Sequence, residues 1–428
     1  MVLRSLRTKR NRFFILSAIT IGGIIEWYEI FLFIHWKDLF SKLFFNDDSA
    51  LAIYNILFIF FVGFLGRPVG ALLFGDIGDR FGRRAAFIGS IALMVFPSIL
   101  IGCIGWGLPA KGIGVAITLC SLRFIQGMAA GAELPGAMCY LVECAPEKER
   151  SYICSFAFLG PQIGILISQL ECYFFESQFS TEFIERYGWR ISFIIGGILA
   201  FIAVLYRKKL EESPSFQLLK DKKLISRKPF IDSISKHWIE IIIGFFGSLL
   251  AVVGFYLIAV FIETYFNLVL KINKSQNLLI SICIMSISTA TLTFLGKLGN
   301  KYEIKKLLGW SAFGIVLLSI PLYFSYTVYS VAITALLFLF FINIQFAILP
   351  SFIAELFPTA IRYTGIALSF SLCDSVVGGA TPWLASMLTN KIGAIPAFIA
   401  FISIASLISL IIFISINKKM LKIKNMQS

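Results

Sequence analysis

Charged residues are scarce in this 428-residue chain: aspartate, glutamate, lysine and arginine make up 14% of it, against about 25% in ordinary soluble domains. Histidine occurs only twice, at His35 and His237, far apart in the sequence. A metal centre or an activated nucleophile needs clustered histidine, aspartate or cysteine side chains. We therefore expect no metal, no cofactor and no catalytic residues, which makes an enzyme the least favoured class of function.

Two other sequence signals are absent. The eight cysteines are scattered without a C-x-x-C pair, so they do not predict a disulfide framework or a zinc site. The chain also lacks a G-x-x-x-x-G-K-[ST] phosphate-binding loop, so we do not expect it to use ATP by itself.

Apolar residues are abundant instead. They make up 58% of the chain, and the mean hydropathy is +0.86. Apolar runs of roughly 20 residues recur throughout, each long enough to cross a bilayer as a helix. The first run, 13–34, is too long and too charged for a cleavable signal peptide. The sequence predicts an all-α polytopic protein embedded in a lipid bilayer.

The net charge of +14 raises the question of nucleic-acid binding, but its distribution argues against it. Most lysines and arginines fall in alternate loops, which is the positive-inside pattern of membrane proteins. This pattern predicts that both termini are cytoplasmic. We expect no nucleic-acid partner.

Twelve membrane helices are predicted. The first six form an N-terminal bundle (1–206), the basic stretch 207–238 forms a cytoplasmic linker, and the rest form a C-terminal bundle with a short cytoplasmic tail (239–428). The predicted spans are 13–34, 51–75, 85–105, 114–144, 151–172, 189–206, 239–262, 277–296, 306–325, 328–350, 361–388 and 394–416.

A dense cluster of glycine and charge, residues 75–84, lies between the second and third spans. Its glycines allow a tight turn, and Asp79 precedes the third span, where it can cap the free amides of that helix. The arginines can hold carboxylates of neighbouring helices in two-pronged contacts. The alternative is a basic turn that only fixes topology.

Two motifs repeat about half a chain apart. Residues 296–302 copy the glycine loop, and the Glu143, Pro146, Arg150 spacing recurs as Glu355, Pro358, Arg362. Such repetition predicts a duplicated six-helix unit, and parallel halves with a site between them are a known transporter plan. The predicted conformational latch comprises Gly75, Asp79, Arg80, Gly82, Arg83, Arg84, Glu143, Arg150, Glu355 and Arg362.

With these motifs, the chain resembles the major facilitator superfamily, and within it the metabolite:proton symporters for proline/betaine, α-ketoglutarate, citrate and shikimate. The loop at 75–84 carries the superfamily signature. The subgroup motifs are Glu26-Trp27-Tyr28, residues 64–70, Arg123-Phe124-Ile125-Gln126-Gly127, Gly131-Ala132-Glu133, residues 188–190, Glu211-Glu212-Ser213-Pro214 and residues 355–359. The chain departs from the usual pattern at Glu29, Ala132, Asn300 and Ile304.

The resemblance implies a proton-coupled symporter of a small polar metabolite in the bacterial inner membrane, working as a monomer by alternating access. A proline/betaine-type zwitterion is the favoured substrate class, and a di- or tricarboxylate is the alternative. A channel is a further alternative, although it has no need of duplicated latch loops.

Ionisable residues inside membrane helices are costly and are usually paired or functional. From their estimated depths we predict two charge layers, Arg123 with Glu26 and Glu29, and Arg67 with Glu133. The alternative is a static set of salt bridges. The predicted proton-coupling residues are Glu26, Glu29 and Glu133, and the predicted substrate-binding residues are Arg67, Arg123, Gln126, Trp27, Tyr28 and Asp374.

Two further expectations concern aromatic and small residues. Trp27, Tyr28 and Trp383 are candidate faces for a quaternary ammonium, with ordinary packing as the alternative. Asp374 lies in a glycine-rich segment, which predicts an interrupted, adaptable helix suited to gating, with plain packing as the alternative. Gly127 and Gly131 predict close helix packing in the fourth span.

Overall fold

The computed structural model describes residues 9–45, 50–106, 112–261, 265–266, 270–324 and 327–415. Helices account for nearly all of this part of the chain. The predicted cytoplasmic tail after Ser415 lies outside the described residues, as do the residues before Lys9.

The described helices confirm the predicted twelve-helix architecture. The first six are α1 (Lys9–His35), α2 (Ala50–Arg80), α3 (Arg83–Gly102), α4 (Gly112–Cys144), α5 (Phe156–Gln178) and α6 (Trp189–Arg207). The second six are α7 (Pro229–Tyr256), α8 (Lys274–Lys301), α9 (Ile304–Tyr323), α10 (Val328–Glu355), α11 (residues 362–392) and α12 (Ala394–Ser415). Short helices at Lys37–Phe45, Arg150–Cys154 and Pro214–Asp221 lie between them.

Eleven of the twelve are long and apolar enough to cross a membrane. The exception is α11, which is divided into Arg362–Ile366, two π-helical turns at Ala367–Ser371 and Cys373–Gly378, and Thr381–Ile392. The second π turn contains Asp374, so the interrupted helix predicted for this segment is present. Such irregular turns inside a helix are frequent at functional sites.

Two predicted boundaries are wrong. Residues 75–80, predicted to form a loop, continue α2 to Arg80, and the turn is confined to residues 81–82, where Gly82 has a φ of 115°. The predicted linker 207–238 contains the helix Pro214–Asp221, and α7 begins at Pro229 rather than near residue 239. A non-helical φ of −132° at His237 marks a bend inside α7.

Small residues set the spacing of α2 and α4. A Cβ atom on Gly131 would collide with the backbone carbonyl of Arg67, and one on Gly127 would collide with that of Gly63. The predicted close packing along α4 is therefore confirmed. It fixes the position of Arg67 in the bundle.

The helix ends define two sides of the molecule. We call the side that carries the α2–α3 turn the latch side. Helices α2, α4, α6, α8, α10 and α12 end there, and α3, α5, α9 and α11 begin there.

Candidate functional site

An ion pair joins the two halves at the middle of the bundle. Arg67 of α2 donates from Nη1 to Oδ2 of Asp374 on α11. Oε1 of Glu26 on α1 lies 3.6 Å from Nη2 of Arg67. All three side chains are buried. We call Glu26, Arg67 and Asp374 the central triad.

The triad corrects one prediction. We predicted that Arg67 pairs with Glu133, but Glu133 pairs with Arg207 and lies in another cluster. The carboxylate closest to Arg67 is that of Asp374, which comes from the other half of the chain. The prediction compared the membrane depths of residues in the first half only, and such a comparison cannot reveal a partner in the second half.

A hydrogen bond near Asp374 and aromatic contacts around Arg67 support the two partners of the ion pair. The carbonyl of Gly131 on α4 accepts a hydrogen bond of 2.8 Å from the Ser371 hydroxyl, one turn before Asp374. The Arg67 guanidinium carbon lies 4.3 Å from the centroid of the Phe64 ring and 5.5 Å from that of Trp27. These aromatic faces stabilise a buried cation.

A narrow cavity borders the triad. Its volume is about 10 Å³, room for about one water molecule. A hydrogen bond of 2.7 Å from Gln162 to Asn343, on α5 and α10, ties the two halves beside it. The residues around the triad therefore pack closely and leave little free volume. The lining residues are Trp27, Phe158, Pro161, Gln162, Val252, Phe255, Tyr256, Phe346, Phe370 and Asp374.

Several buried polar atoms in the triad and beside it lack hydrogen-bond partners among the described residues. They are both carboxylate oxygens of Glu26, Nη2 of Arg67 and the indole nitrogen of Trp27. Buried polar groups are nearly always satisfied, so a cluster of exceptions needs an explanation. These unpartnered atoms carry both charge signs, from the Glu26 carboxylate and the Arg67 guanidinium.

A second cluster lies within the first half. Oε2 of Glu29 accepts from the Ser98 hydroxyl and, at 2.7 Å, from the Gln126 amide. Oε1 of Gln126 accepts in turn from Arg123 at 2.9 Å. Arg123 is thus joined to Glu29 through Gln126, as its predicted layer requires, whereas Glu26 lies with Arg67 instead.

Arg207 is a buried partner that we did not predict. Its side chain donates to both oxygens of Glu133 and to the backbone carbonyls of Ala18, Ile19 and Phe87. It is the first residue of the basic run Arg207-Lys208-Lys209, and such a run predicts charged side chains exposed at the surface. Its continuity with the apolar run of α6 is the signal that could have identified it.

Glu171 of α5 is a second residue that we did not predict as part of a buried cluster. It accepts a hydrogen bond from the Tyr28 hydroxyl, which also lies 3.2 Å from the carbonyl of Ser192 on α6. Tyr28 therefore packs away from the central cavity that its neighbour Trp27 lines. Trp383 is half-buried and does not line that cavity.

The latch side is closed by Asp79. Its carboxylate accepts from the backbone N–H groups of Tyr363 and Thr364 at 3.2 and 2.8 Å. We predicted that Asp79 caps the next helix, α3, but it caps α11 of the other half. The reason is that α2 continues past Asp79. Gly75 and Gly78 lie against Thr364 and Tyr363, where a larger side chain would crowd them.

The repeated motif pairs across the halves. Glu143 of α4 lies 3.4 Å from Arg362 at the start of α11. Reciprocally, Arg150 at the start of the short helix Arg150–Cys154 lies 3.3 Å from Glu355 of α10. Each half therefore supplies a glutamate to the other half's arginine.

Arg83 joins this network from the first half. It binds Glu143 through two hydrogen bonds of 2.8 and 3.0 Å and donates to the carbonyl of Thr359 at 2.8 Å. Arg80, in contrast, is exposed and pairs with Asp76 on its own helix at 2.9 Å.

The degenerate copy of the loop makes the same kind of contact as the original. Oδ1 of Asn300, at the end of α8, accepts from the backbone N–H groups of Ser151 and Tyr152 at 2.9 and 3.3 Å. Asn300 thus caps a helix of the first half, just as Asp79 caps a helix of the second half. The capping contact is therefore made by a neutral asparagine as well as by the aspartate of the first copy.

The linker is anchored to the same side. The Glu212 carboxylate accepts from the backbone N–H groups of Arg83 and Arg84, at the start of α3, at 3.0 and 3.3 Å. Burial raises the pKa of Glu212 above its ordinary value, since it outweighs the hydrogen bonds and the nearby Arg83 charge that lower it. The Arg84 guanidinium donates to the carbonyl of Lys208.

Solved structures with this arrangement of helices are known. The xylose:proton symporter XylE bound to 6-bromo-6-deoxy-D-glucose superposes with a TM-score of 0.82 at 17% identity, covering 95% of this chain and 96% of that one. The inward-open form of XylE from E. coli gives a TM-score of 0.69 at 19% identity, covering 93% and 95%. These similarities show the fold.

Two related sequences have higher identity to this chain. The "Putative proline/betaine transporter" of Staphylococcus aureus (strain MSSA476) is 28% identical over 390 residues, covering 88% of this chain and 82% of the relative. The "Citrate-proton symporter" of Salmonella typhi is 26% identical over 395 residues, covering 90% and 89%.

The sequence profile of the Major Facilitator Superfamily matches residues 44–382. The match spans most of the chain and includes both copies of the latch motifs. The chain therefore belongs to the Major Facilitator Superfamily, a family of membrane transporters and not of enzymes.

Proposed function

We propose that this transporter is a proton-coupled symporter for a small zwitterion of the proline/betaine type, working by alternating access. The observation that carries the proposal is the central triad, which joins the two halves through opposite charges and leaves several polar atoms unpartnered. The halves are 1–206 and 239–428, joined by the linker 207–238. The latch side faces the cytoplasm of a bacterial cell, both termini lie there, and the chain works as a monomer in the inner membrane.

The charges of the triad suit a zwitterion. The Arg67 guanidinium matches a carboxylate in a two-pronged contact, and Asp374 matches an ammonium. The rings of Trp27 and Tyr256 lie 6.2 Å apart at an angle of 26°, and such faces attract a quaternary or secondary ammonium. Substrate would replace the direct contact between Arg67 and Asp374.

Proton coupling follows from the position of Glu26. Arg67 is its nearest cation, and neither of its oxygens accepts a hydrogen bond among the described residues. When a substrate carboxylate occupies Arg67, an ionised Glu26 would remain as an unpaired buried charge, which is costly. A proton on Glu26 removes that cost. Substrate and proton therefore bind cooperatively.

Glu29 is a second proton carrier in this proposal. One of its oxygens accepts from Ser98 and Gln126, while the other has no hydrogen-bond partner in the described part of the chain. Glu133, held by Arg207, is assigned to packing of the first half instead.

A di- or tricarboxylate remains the second candidate, favoured by the similarity to the Salmonella typhi citrate–proton symporter. Arg123 and Arg67 would be its anion sites. The triad contains two carboxylates and one guanidinium, however, and this balance repels a ligand with several negative charges. The charge of the site therefore favours the zwitterion.

Uptake competition tests the substrate class. Proteoliposomes containing the protein would take up labelled proline or glycine betaine under an imposed proton gradient, with proline, glycine betaine, citrate and α-ketoglutarate as unlabelled competitors. We expect the two zwitterions to compete and the carboxylates to leave uptake unchanged. Competition by citrate alone, together with loss of citrate binding in Arg123→Gln, would establish the alternative.

A further inference from the structure

An open groove lies between the start of α9 and the end of α12, on the latch side. Its volume is about 700 Å³, compared with about 10 Å³ for the central cavity. Trp310 in its wall is 67% exposed. A Cβ atom on Gly309 would approach only Leu410, at 3.8 Å. The lining residues are Glu303, Lys305, Lys306, Gly309, Trp310, Phe313, Leu410, Phe413 and Ile414.

The internal repeat shows what occupies the matching place in the first half. There, α3 begins beside the end of α6, and the Glu212 carboxylate accepts from the backbone N–H groups of Arg83 and Arg84. Arg84 also donates to the carbonyl of Lys208, just after α6. In the first half, therefore, an anion supplied by the linker sits at the start of the helix.

The second half repeats this geometry with a different composition. Lys305, one residue into α9, donates to the carbonyl of Ile414 near the end of α12 at 3.1 Å, as Arg84 does to Lys208. The counterpart of the linker is the sequence after α12, residues 416–428. It contains Lys418, Lys419, Lys422 and Lys424 and no aspartate or glutamate. That sequence has no carboxylate to take the place of Glu212.

The charges around the groove favour an anion. Lys306 lies 3.4 Å from Glu303, so the three ionisable groups of the lining, Glu303, Lys305 and Lys306, together carry one positive charge. The positive end of the α9 dipole adds to it. The walls beyond the lysines are apolar, and Trp310 is a residue type that gathers at the headgroup level of a bilayer.

We propose that this groove binds one anionic phospholipid. Its phosphate would lie at Lys305, Lys306 and the start of α9, where the first half places the Glu212 carboxylate. One acyl chain would follow Phe313 and Leu410. The latch side is proposed to face the cytoplasm, so the lipid would belong to the cytoplasmic leaflet. The groove and its charge do not depend on that proposed orientation.

Native mass spectrometry of the purified full-length protein tests the proposal. The probes are phosphatidylglycerol, phosphatidylethanolamine and inorganic phosphate, added separately. We expect retained phosphatidylglycerol in the wild type, and roughly 20-fold weaker retention in Lys305→Gln/Lys306→Gln, because each lysine near an anionic headgroup contributes about fivefold. The matched control is Lys222→Gln/Lys223→Gln, which removes the same charge from the exposed linker and should retain the lipid.

A second variant tests the groove without changing its charge. Gly309→Phe fills the space in front of Leu410, so it should reduce phosphatidylglycerol retention while both lysines remain. Three results would overturn the proposal: equal retention in both groove variants and the wild type, displacement of the lipid by inorganic phosphate at equal concentration, or a second copy of the chain bound in place of lipid.

Discussion

At the scale of single residues, the buried arginines of the first half differ in how completely their charges are satisfied. Arg207 donates to one carboxylate and three backbone carbonyls. Arg67 reaches Asp374 and Glu26 but keeps one nitrogen without a hydrogen bond among the described residues. A fully satisfied ion pair stabilises one arrangement, whereas an incompletely satisfied one can exchange partners. This contrast separates the packing charge from the proposed transport charge.

The Glu133–Arg207 pair gives a stability prediction. Glu133→Ala would leave Arg207 as an uncompensated buried charge, and breaking such a pair costs about 3–5 kcal/mol. We expect a large fall in the thermal unfolding temperature, measured by intrinsic fluorescence in detergent. The double variant Glu133→Gln/Arg207→Met should be more stable than Glu133→Ala. If Glu133→Ala unfolds at the wild-type temperature, the pair has no structural role.

Which residues are charged inside the bundle could largely be predicted from the sequence, but their partners could not. Glu26, Arg67 and Asp374 are conspicuous because they interrupt apolar runs. Their contact depends on how α1, α2 and α11 approach one another, and α11 comes from the other half. Arg207 and Glu171 were missed because each lies near a helix end, where charge is expected at a membrane surface.

At the scale of helices, the latch side is closed by two caps related by the internal repeat. Asp79 caps α11, and Asn300 caps the short helix Arg150–Cys154. Both are the acid or amide of a G-x-x-G-[DN] motif, so their equivalence could be predicted from the sequence. Their target helices could not, since helix capping across two halves depends on the closed arrangement of the bundle.

The Asn300 cap can be tested directly. Asn300→Ala removes two hydrogen bonds from the segment 150–154, and loss of such a cap costs about 1 kcal/mol. We expect roughly fivefold faster amide hydrogen exchange across residues 147–155, measured by mass spectrometry. The control is Asn273→Ala, which removes the N-terminal cap of α8, the helix that carries Asn300 at its other end. There, Asn273 accepts from the Gln276 N–H at 2.8 Å. Equal protection in all three proteins would show that Asn300 does not hold the latch.

Glu212 gives a prediction for pH dependence. Burial raises its pKa in the folded protein above its ordinary value of 4.5, so the folded state binds this proton more tightly than the unfolded state does. The stability that the proton contributes is present below the ordinary pKa and is lost as pH rises through the folded pKa. Relative to Glu212→Gln, the wild type should therefore lose unfolding temperature as pH rises above the ordinary value of 4.5. A constant difference between the two proteins would contradict this assignment.

At the scale of the whole molecule, the two halves contact each other on the latch side and at the centre. These contacts include the two caps, the reciprocal pairs Glu143–Arg362 and Arg150–Glu355, and the ion pair between Arg67 and Asp374. Opening the latch side would break the caps and the reciprocal pairs. Two parallel halves could be predicted from the duplicated motifs. The closed arrangement could not, because one sequence serves every state of a transport cycle.

The central claim is that proton binding at Glu26 is linked to substrate binding at Arg67 and Asp374. Counterflow and gradient-driven accumulation, measured in the same proteoliposomes, test it most directly. In Glu26→Gln, the residue is permanently neutral, so exchange of labelled substrate should persist without proton uptake. Glu182→Gln, a glutamate exposed on the side opposite the latch, is the matched control and should behave as the wild type.

The account predicts that Glu26→Gln exchanges substrate at a rate close to that of the wild type. Under an imposed proton gradient, it should accumulate at least about tenfold less, a loss worth about 1.4 kcal/mol of coupling. Accumulation at the wild-type level in Glu26→Gln would contradict the account, because the proton would then be carried elsewhere.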